Sequence, residues 1–335
     1  MKDEPGFGLD TSIFDDVIEN GPVAQRLVLA RQLAAFLARD GVAKAEHDQV
    51  VPVVLKLAVD PVSDVRRCLA TALADAPEIH ADILFSIVSD DDEIALPFLA
   101  ATPALNHWHM LAVLRVGDAA RQSTVIMRAD VSDEAVAYAV KSLPLNVCLL
   151  LFDNPEIQLD DQQYHALYAR FGHAGDMTEK LLACPDLPLD IRIMQAKRAS
   201  NRMHQLMAER GWLPANDAVE LVHDAEENAV LRILIEATDV ELAKLVAFLV
   251  SKSMLTTSII VRAACLGEMH VVERALAHLA DVPLQRARGL MRGKGLTGFR
   301  GLHAKSGLPQ SCYWILQAAC DVSAEEAEEG VTLNA

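Results

Sequence analysis

Five short stretches recur along the chain at near-constant spacing: A-P-E-I at 76–79, T-P-A-L at 102–105, A-D-V at 129–131, N-P-E-I at 154–157 and C-P-D-L at 184–187. Their anchors, Pro77, Pro103, Ala129, Pro155 and Pro185, lie 26, 26, 26 and 30 residues apart. A fixed internal period of this length is the mark of a repeat protein. The flanks keep the same register. Four residues before the anchors stand Leu73, Leu99, Val125, Leu151 and Leu181, and three before stand Ala74, Ala100, Ile126, Phe152 and Leu182. Two residues after come Ile79, Leu105, Val131, Ile157 and Leu187. All fifteen are apolar in a chain that is 52% hydrophobic.

Proline disfavours helical geometry in the residue before it, so each anchor is expected to end one helix and open a turn. The apolar residue two positions on pins that turn to the core. A polar cap then starts the next helix: Ser132 before D-E-A-V-A-Y-A-V, and Asp160 with Gln163 as a D-x-x-Q capping box. Two turns taken from each period leave two helices of about ten residues, too short to persist alone. Each pair must therefore lean on its neighbours, which predicts an α-solenoid. Aromatics are only 5% of the chain and alanine and leucine dominate, which fits an all-α fold.

The pattern predicts N-terminal helices over 1–45, a repeat array over 46–205, further helices over 206–281, a basic helical segment over 282–322 and a fraying acidic tail over 323–335. Pro22 opens a helix that Gly41 closes. Helices are expected at 217–225, 229–237, 240–250, Met254 to Leu266 and Val271 to Ala280. The junction Asp60-Pro61-Val62-Ser63-Asp64-Val65-Arg66 resembles the HEAT repeat, where the Asp caps the second helix and the Arg reaches neighbouring turns. The run Ser89-Asp90-Asp91-Asp92-Glu93 looks like the next copy, its acids suited to a helix N-terminus.

Candidate chemistry is sparse. Gly293-Lys294-Gly295-Leu296-Thr297-Gly298 spells G-x-G-x-x-G, but helical spacing precedes it and no acid follows about twenty residues on. Gly289 and Gly293 are one residue too close for a Walker A loop, and Gly295 follows Lys294 where Ser or Thr is required. The segment reads as a connector. His107-Trp108-His109 lacks a third ligand, the acids at 90–93 lack calcium-loop spacing, and neither H-E-x-x-H nor G-x-S-x-G occurs. The six cysteines are scattered and read as small buried apolar residues. No cofactor or metal site is expected.

Net charge is −17, which disfavours general nucleic-acid affinity. Between Val282 and Cys320, however, Arg286, Arg288, Arg292, Lys294, Arg300 and Lys305 occur with no acid. They are candidates for an anion or partner site, set against roles in helix capping or in pairing with the acidic body of the chain. The start carries no secretory signal and no apolar run is long enough to span a bilayer, so a cytoplasmic protein is expected.

Taken together the chain resembles an uncharacterised bacterial family of HEAT-like helical proteins. The resemblance rests on V-R-R-C-L-A-T-A-L-A-D-A-P, on S-D-D-D-E-I-A-L-P-F-L-A-A-T-P-A-L, on the x-P-[DE]-[IL] anchors and on residues 275–291 through K-S-G-L-P at 305–309. It implies no catalytic residues. The expected function is a non-catalytic scaffold binding a protein or peptide on a solenoid surface. Polyanion binding through the basic segment is the first alternative, and a metal- or nucleotide-dependent enzyme the second.

Overall fold

Each of the five anchors stops a helix. The computed structural model describes residues 12–39, 44–212, 215–293 and 296–333, and among them every regular element is helical. A first compact unit reaches to Lys180 and a second begins at Leu181. The first holds α1 (Ser12–Asn20), α2 (Val23–Leu37), α3 (Lys44–Ala58), α4 (Ser63–Leu73), α5 (Ala81–Val88) and α6 (Asp92–Ala101). It continues with α7 (His107–Val116), α8 (Ala119–Ile126), α9 (Asp133–Ser142), α10 (Leu145–Leu149) and α11 (Asp161–Phe171). Helix α12 (Gly175–Ala183) crosses the division.

The register is tight. Helices end two to four residues before an anchor, and the next begins four residues after it at Ala81, His107, Asp133 and Leu189, or six after it at Asp161. The position four before the anchor is the true core: Leu73, Leu99, Val125, Leu151 and Leu181 are all buried. The position three before is mixed, with Ala100 and Leu182 exposed. Two after, Leu105 and Leu187 are buried while Ile79, Val131 and Ile157 are half-buried. Ser132 and Asp160 cap their helices as expected, the latter in a full capping box.

The residue just before the anchor carries what the apolar pattern missed. Ala76, Thr102, Arg128 and Asn154 are all buried there, and the last three are polar. Arg128 Nη2 donates to the Thr102 carbonyl at 2.8 Å and Nη1 to that of Leu99. One period on, Asn154 Nδ2 donates to the carbonyls of Arg128 at 2.8 Å and Ile126 at 2.7 Å. Buried carbonyls need donors, and at these two turns the side chain supplies them to the turn one period back. Ala129 lacks the proline restriction, yet its turn matches the others, because Arg128 also grips Asp130 through Nε and Nη2 at 2.8 Å.

Arginines bind the turns from the helix side as well. Arg66 donates to the Asp60 carbonyl and pairs with Asp90 and Asp91; Arg121 donates to the Val88 carbonyl and pairs with Asp92 and Asp118; Arg67 pairs with Glu93. The acids at 90–93 thus serve guanidinium groups, and Asp91, at the N-cap of α6, makes no side-chain cap bond. At the Asp60–Arg66 junction the arginine does reach the neighbouring turn, but Asp60 accepts from the Val62 N–H and Asp64 pairs with Arg67 instead of capping. Successive helices pack against their neighbours and against the next but one, as α2 on α4, α4 on α6, α6 on α8, and α7 on α9.

These pairs set an acid response. Burial alone would raise Asp90, but the Arg66 guanidinium and the Asp91 N–H overcome it and hold the carboxyl below its ordinary 3.8. The Arg128 guanidinium holds Asp130 below 3.8 as well. A carboxyl depressed in the folded state stabilises it fully above the ordinary value, and that stability is lost as pH falls through the lowered one. Melting temperature followed against pH should therefore drop below about pH 3.8, and Asp90→Asn should melt lower at neutral pH with a shallower acid limb. An unchanged limb in that variant would remove Asp90 from the account.

The second unit holds α13 (Leu189–Arg210), α14 (Ala215–Glu236), α15 (Asp239–Ser251), α16 (Thr257–Cys265), α17 (Met269–Leu279), α18 (Leu284–Arg292), α19 (Leu296–Ser306) and α20 (Tyr313–Leu333). Helix α17 is central. Val271, Val272, Ala275 and Leu276 are fully buried, and α15, α16, α18, α19 and α20 all pack on it. One expectation needs correction: the helices expected at 217–225 and 229–237 are one, α14. Helix α20 continues to Leu333. Gly41, the expected helix stop, lies outside the described residues. Among those described, no helix is long and apolar enough to cross a membrane.

Candidate functional site

Helices α13 and α14 are the longest of the described helices, 22 residues each, and pack antiparallel on each other more extensively than any other pair. Burial is concentrated in their proximal parts: Ile191, Ile193 and Gln195 on α13, and Val222, Glu227, Val230, Leu231 and Leu234 on α14, are buried. From Arg198 to Leu221 no residue of described exposure is buried. The outer half of the hairpin is therefore an arm. Helix α13 ends in a Schellman turn, with Gly211 at φ +60° and N–H bonds from Gly211 to Ala208 O and from Trp212 to Met207 O, each 3.3 Å. Only glycine adopts that backbone without strain.

The arm's surface is apolar where a solvated hairpin would be polar. Met203 (48% exposed), Leu206 (40%), Trp212 (64%), Val219 (50%) and Leu221 (53%) are all open to solvent. Two helices alone cannot bury such residues, and clustered exposed apolar side chains mark docking surfaces. The two helices are also oppositely charged. The α13 side carries Lys197, Arg198, Arg202 and Arg210 against Glu209, and the α14 side carries Asp217, Glu220, Asp224 and Glu226 with no base. Asp224 is bound to Arg262 at 2.5 Å. Among the described residues the others have no hydrogen bond or ion pair.

A polar cluster fixes the arm's base. Glu227, 3% exposed, accepts from Thr256 Oγ1 at 2.5 Å and from Ser258 Oγ at 2.6 Å, with His223 Nε2 at 3.3 Å and Arg262 Nε at 3.5 Å. Thr256 in turn caps α16 by accepting from the Ile259 N–H at 3.2 Å. A cavity of about 210 Å³ opens beside it, lined by Lys197, His223, Glu226 and Met254 among others. A carboxylate, an imidazole and two hydroxyls invite comparison with a nucleophilic site. Both hydroxyls, however, donate to Glu227 and neither to His223, so the imidazole is not aligned as their base. The arrangement ties α14 to the start of α16.

Of the six basic residues five lie among those described, and three of the five are engaged within the chain. Arg288 and Arg292, one turn apart on α18, converge on buried Glu273 of α17 at 2.7 and 3.3 Å. Lys305 donates to the Asp281 carbonyl at 3.2 Å. Arg286 and Arg300 are exposed and have no partner among the described residues. Lys294 lies outside those residues. Counting acids only between 282 and 320 missed Glu273, which the preceding helix supplies.

Other candidates resolve into structure. His109 completes a capping box with Asn106 and Trp108 is 68% exposed. Among the described residues no group of three His, Cys, Asp or Glu could hold a metal ion. The six cysteines form no disulfide among the described residues; Cys148, Cys312 and Cys320 are buried, and burial raises their thiols, that of Cys320 to about 12. Cys265 is exposed, against expectation. Helix α18 precedes the glycine segment, with Gly293 at its end and Gly298 inside α19.

A family model described as an uncharacterised protein conserved in bacteria (DUF2336) matches residues 94–334. No curated protein and no solved structure matches the chain significantly.

Proposed function

The chain belongs to that uncharacterised bacterial family, and since membership brings no chemistry with it, we propose from the chain's own surface that it is a non-catalytic protein-interaction module. The observation that carries this is the arm: a helical hairpin whose outer part buries little and exposes Met203, Leu206, Trp212, Val219 and Leu221. The first unit is read as a HEAT-like α-solenoid. The 26-residue hydrogen-bond register and the packing of each helix on the next but one support that reading. Its role is to carry a second module whose arm does the docking.

Capture on the full chain, wild type beside a Met203→Glu, Leu206→Glu double variant, tests the proposal. Both positions are solvent-exposed, so helical content and melting should stay near wild type. The wild type is expected to retain a protein, another chain or its own untagged copy, that the variant loses. Identical retention by both would sink it.

A further inference from the structure

We infer, building on the reading of the arm as a docking surface, that its occupant is the arm of a second copy of this chain. Two hairpins would close into a four-helix bundle about a twofold axis.

Charge points to this partner. The α13 side of the arm is basic and the α14 side acidic, and among the described residues Lys197, Arg198, Arg202, Arg210, Asp217, Glu220 and Glu226 have no ion pair of their own. A twofold operator makes the same patch face itself with its two halves exchanged. With the axis parallel to the hairpin, α13 of one copy lies against α14 of the other, basic on acidic, twice; an axis across the hairpin would set like charge on like, so charge selects the first. A foreign partner would need a matching split of charge, which a second copy already has. On α13 Met203 and Leu206 lie one turn apart, and on α14 Leu221 lies one turn from Asp217, so these three would form the bundle's seam, in the way two-helix hairpins bury their stripes. Gly211 keeps the tip narrow by turning the chain at the end of α13 within one residue.

The footprint sets the strength. About thirteen residues of α13 span ~20 Å, and two helices side by side are ~20 Å wide, giving ~400 Å² of facing plan area per copy. That is the low end for a specific interface, so the pairing is weak and concentration-dependent. Part of it rests on exposed charges and is screened by salt.

Sedimentation velocity of the full chain should show dimer growing between about 10 and 100 µM, weakened about tenfold on going from ~0.05 to ~0.5 M salt. Leu206→Glu should remove it. An Arg198→Glu, Arg202→Glu variant and an Asp217→Lys, Glu220→Lys variant should each be monomeric, and their mixture should restore a one-to-one heterodimer. Among the described residues none of these charges has an intramolecular ion pair, and restoration in the mixture excludes loss of fold as the cause directly. A wild type that stays monomeric at about 100 µM in low salt overturns the inference, as does a dimer indifferent to all three variants. If that happens while the capture experiment still loses a retained protein in the Met203→Glu, Leu206→Glu variant, the arm docks something else and only the second copy is rejected. If both fail, the arm is no docking surface.

Discussion

Replacing Arg128 by methionine is expected to cost the first unit about 3 kcal/mol, because it strips a buried donor set and leaves its acceptors orphaned. The Leu99 and Thr102 carbonyls would lose their guanidinium partner, and Asp130 its ion pair. Methionine keeps much of the volume, so the loss reads as hydrogen bonding more than cavity formation. For a unit of this size the melting temperature should fall by about 6–12 °C. Asn154→Leu, which orphans the Ile126 and Arg128 carbonyls, should cost about 2 kcal/mol. The double variant should depart from additivity by at least 0.5 kcal/mol, since both belong to one network. Pro103→Ala, by contrast, should cost under about 1 kcal/mol. An Arg128→Met protein within about 0.5 kcal/mol of wild type would show that the buried donors are ornamental.

The second large effect concerns Glu227. Its side chain is nearly fully buried and takes two hydroxyl donors, with His223 and Arg262 beside it. Glu227→Ala should destabilise the second unit by about 3 kcal/mol, since it removes one member of a buried polar network and abandons the rest. Glu227→Gln keeps the shape and part of the bonding, and should cost about 1–2 kcal/mol. The damage should be local first. Thr256 would lose the partner that orients it as the cap of α16, so amide exchange over 257–265 should accelerate before exchange in α17. Uniform acceleration across the unit would argue that Glu227 holds nothing in particular. Loss of protection confined to α16 would also explain why a carboxylate is buried there.

Much of the helix order was legible, because proline and the apolar register report on backbone geometry directly. The anchors located the helix ends, and the position four before them located the core. What stayed hidden was polar. Arg128 and Asn154 sit in a buried register, but a count of apolar positions treats them as gaps. A polar residue just before three of the five anchors, at Thr102, Arg128 and Asn154, was the available signal. The same blindness split α14 into two: Glu226-Glu227-Asn228 reads as a break between apolar runs, whereas Glu227 is buried because Thr256, Ser258 and Arg262 meet it from α16 and its cap. The acid that meets Arg288 and Arg292 was missed for a related reason, since Glu273 lies outside the window in which acids were counted. The arm was not anticipated, because Met203, Leu206 and Trp212 look in sequence like any amphipathic stripe. Only tertiary context shows that no neighbour covers them.

The 26-residue spacing between each donor and its acceptor carbonyl has a consequence for how such a chain can change in length. If the stretch from 103 to 128 were excised, Asn154 would meet the Thr102 carbonyl in place of that of Arg128. The wiring would close over the gap as though nothing had gone. Excision of any other number of residues would bring a side chain to the wrong carbonyl or to none. Growth and shrinkage by whole periods are therefore tolerated, while single-residue insertions between the rungs are not. The array is in this sense digital, and its descendants should differ by whole counts of a single unit.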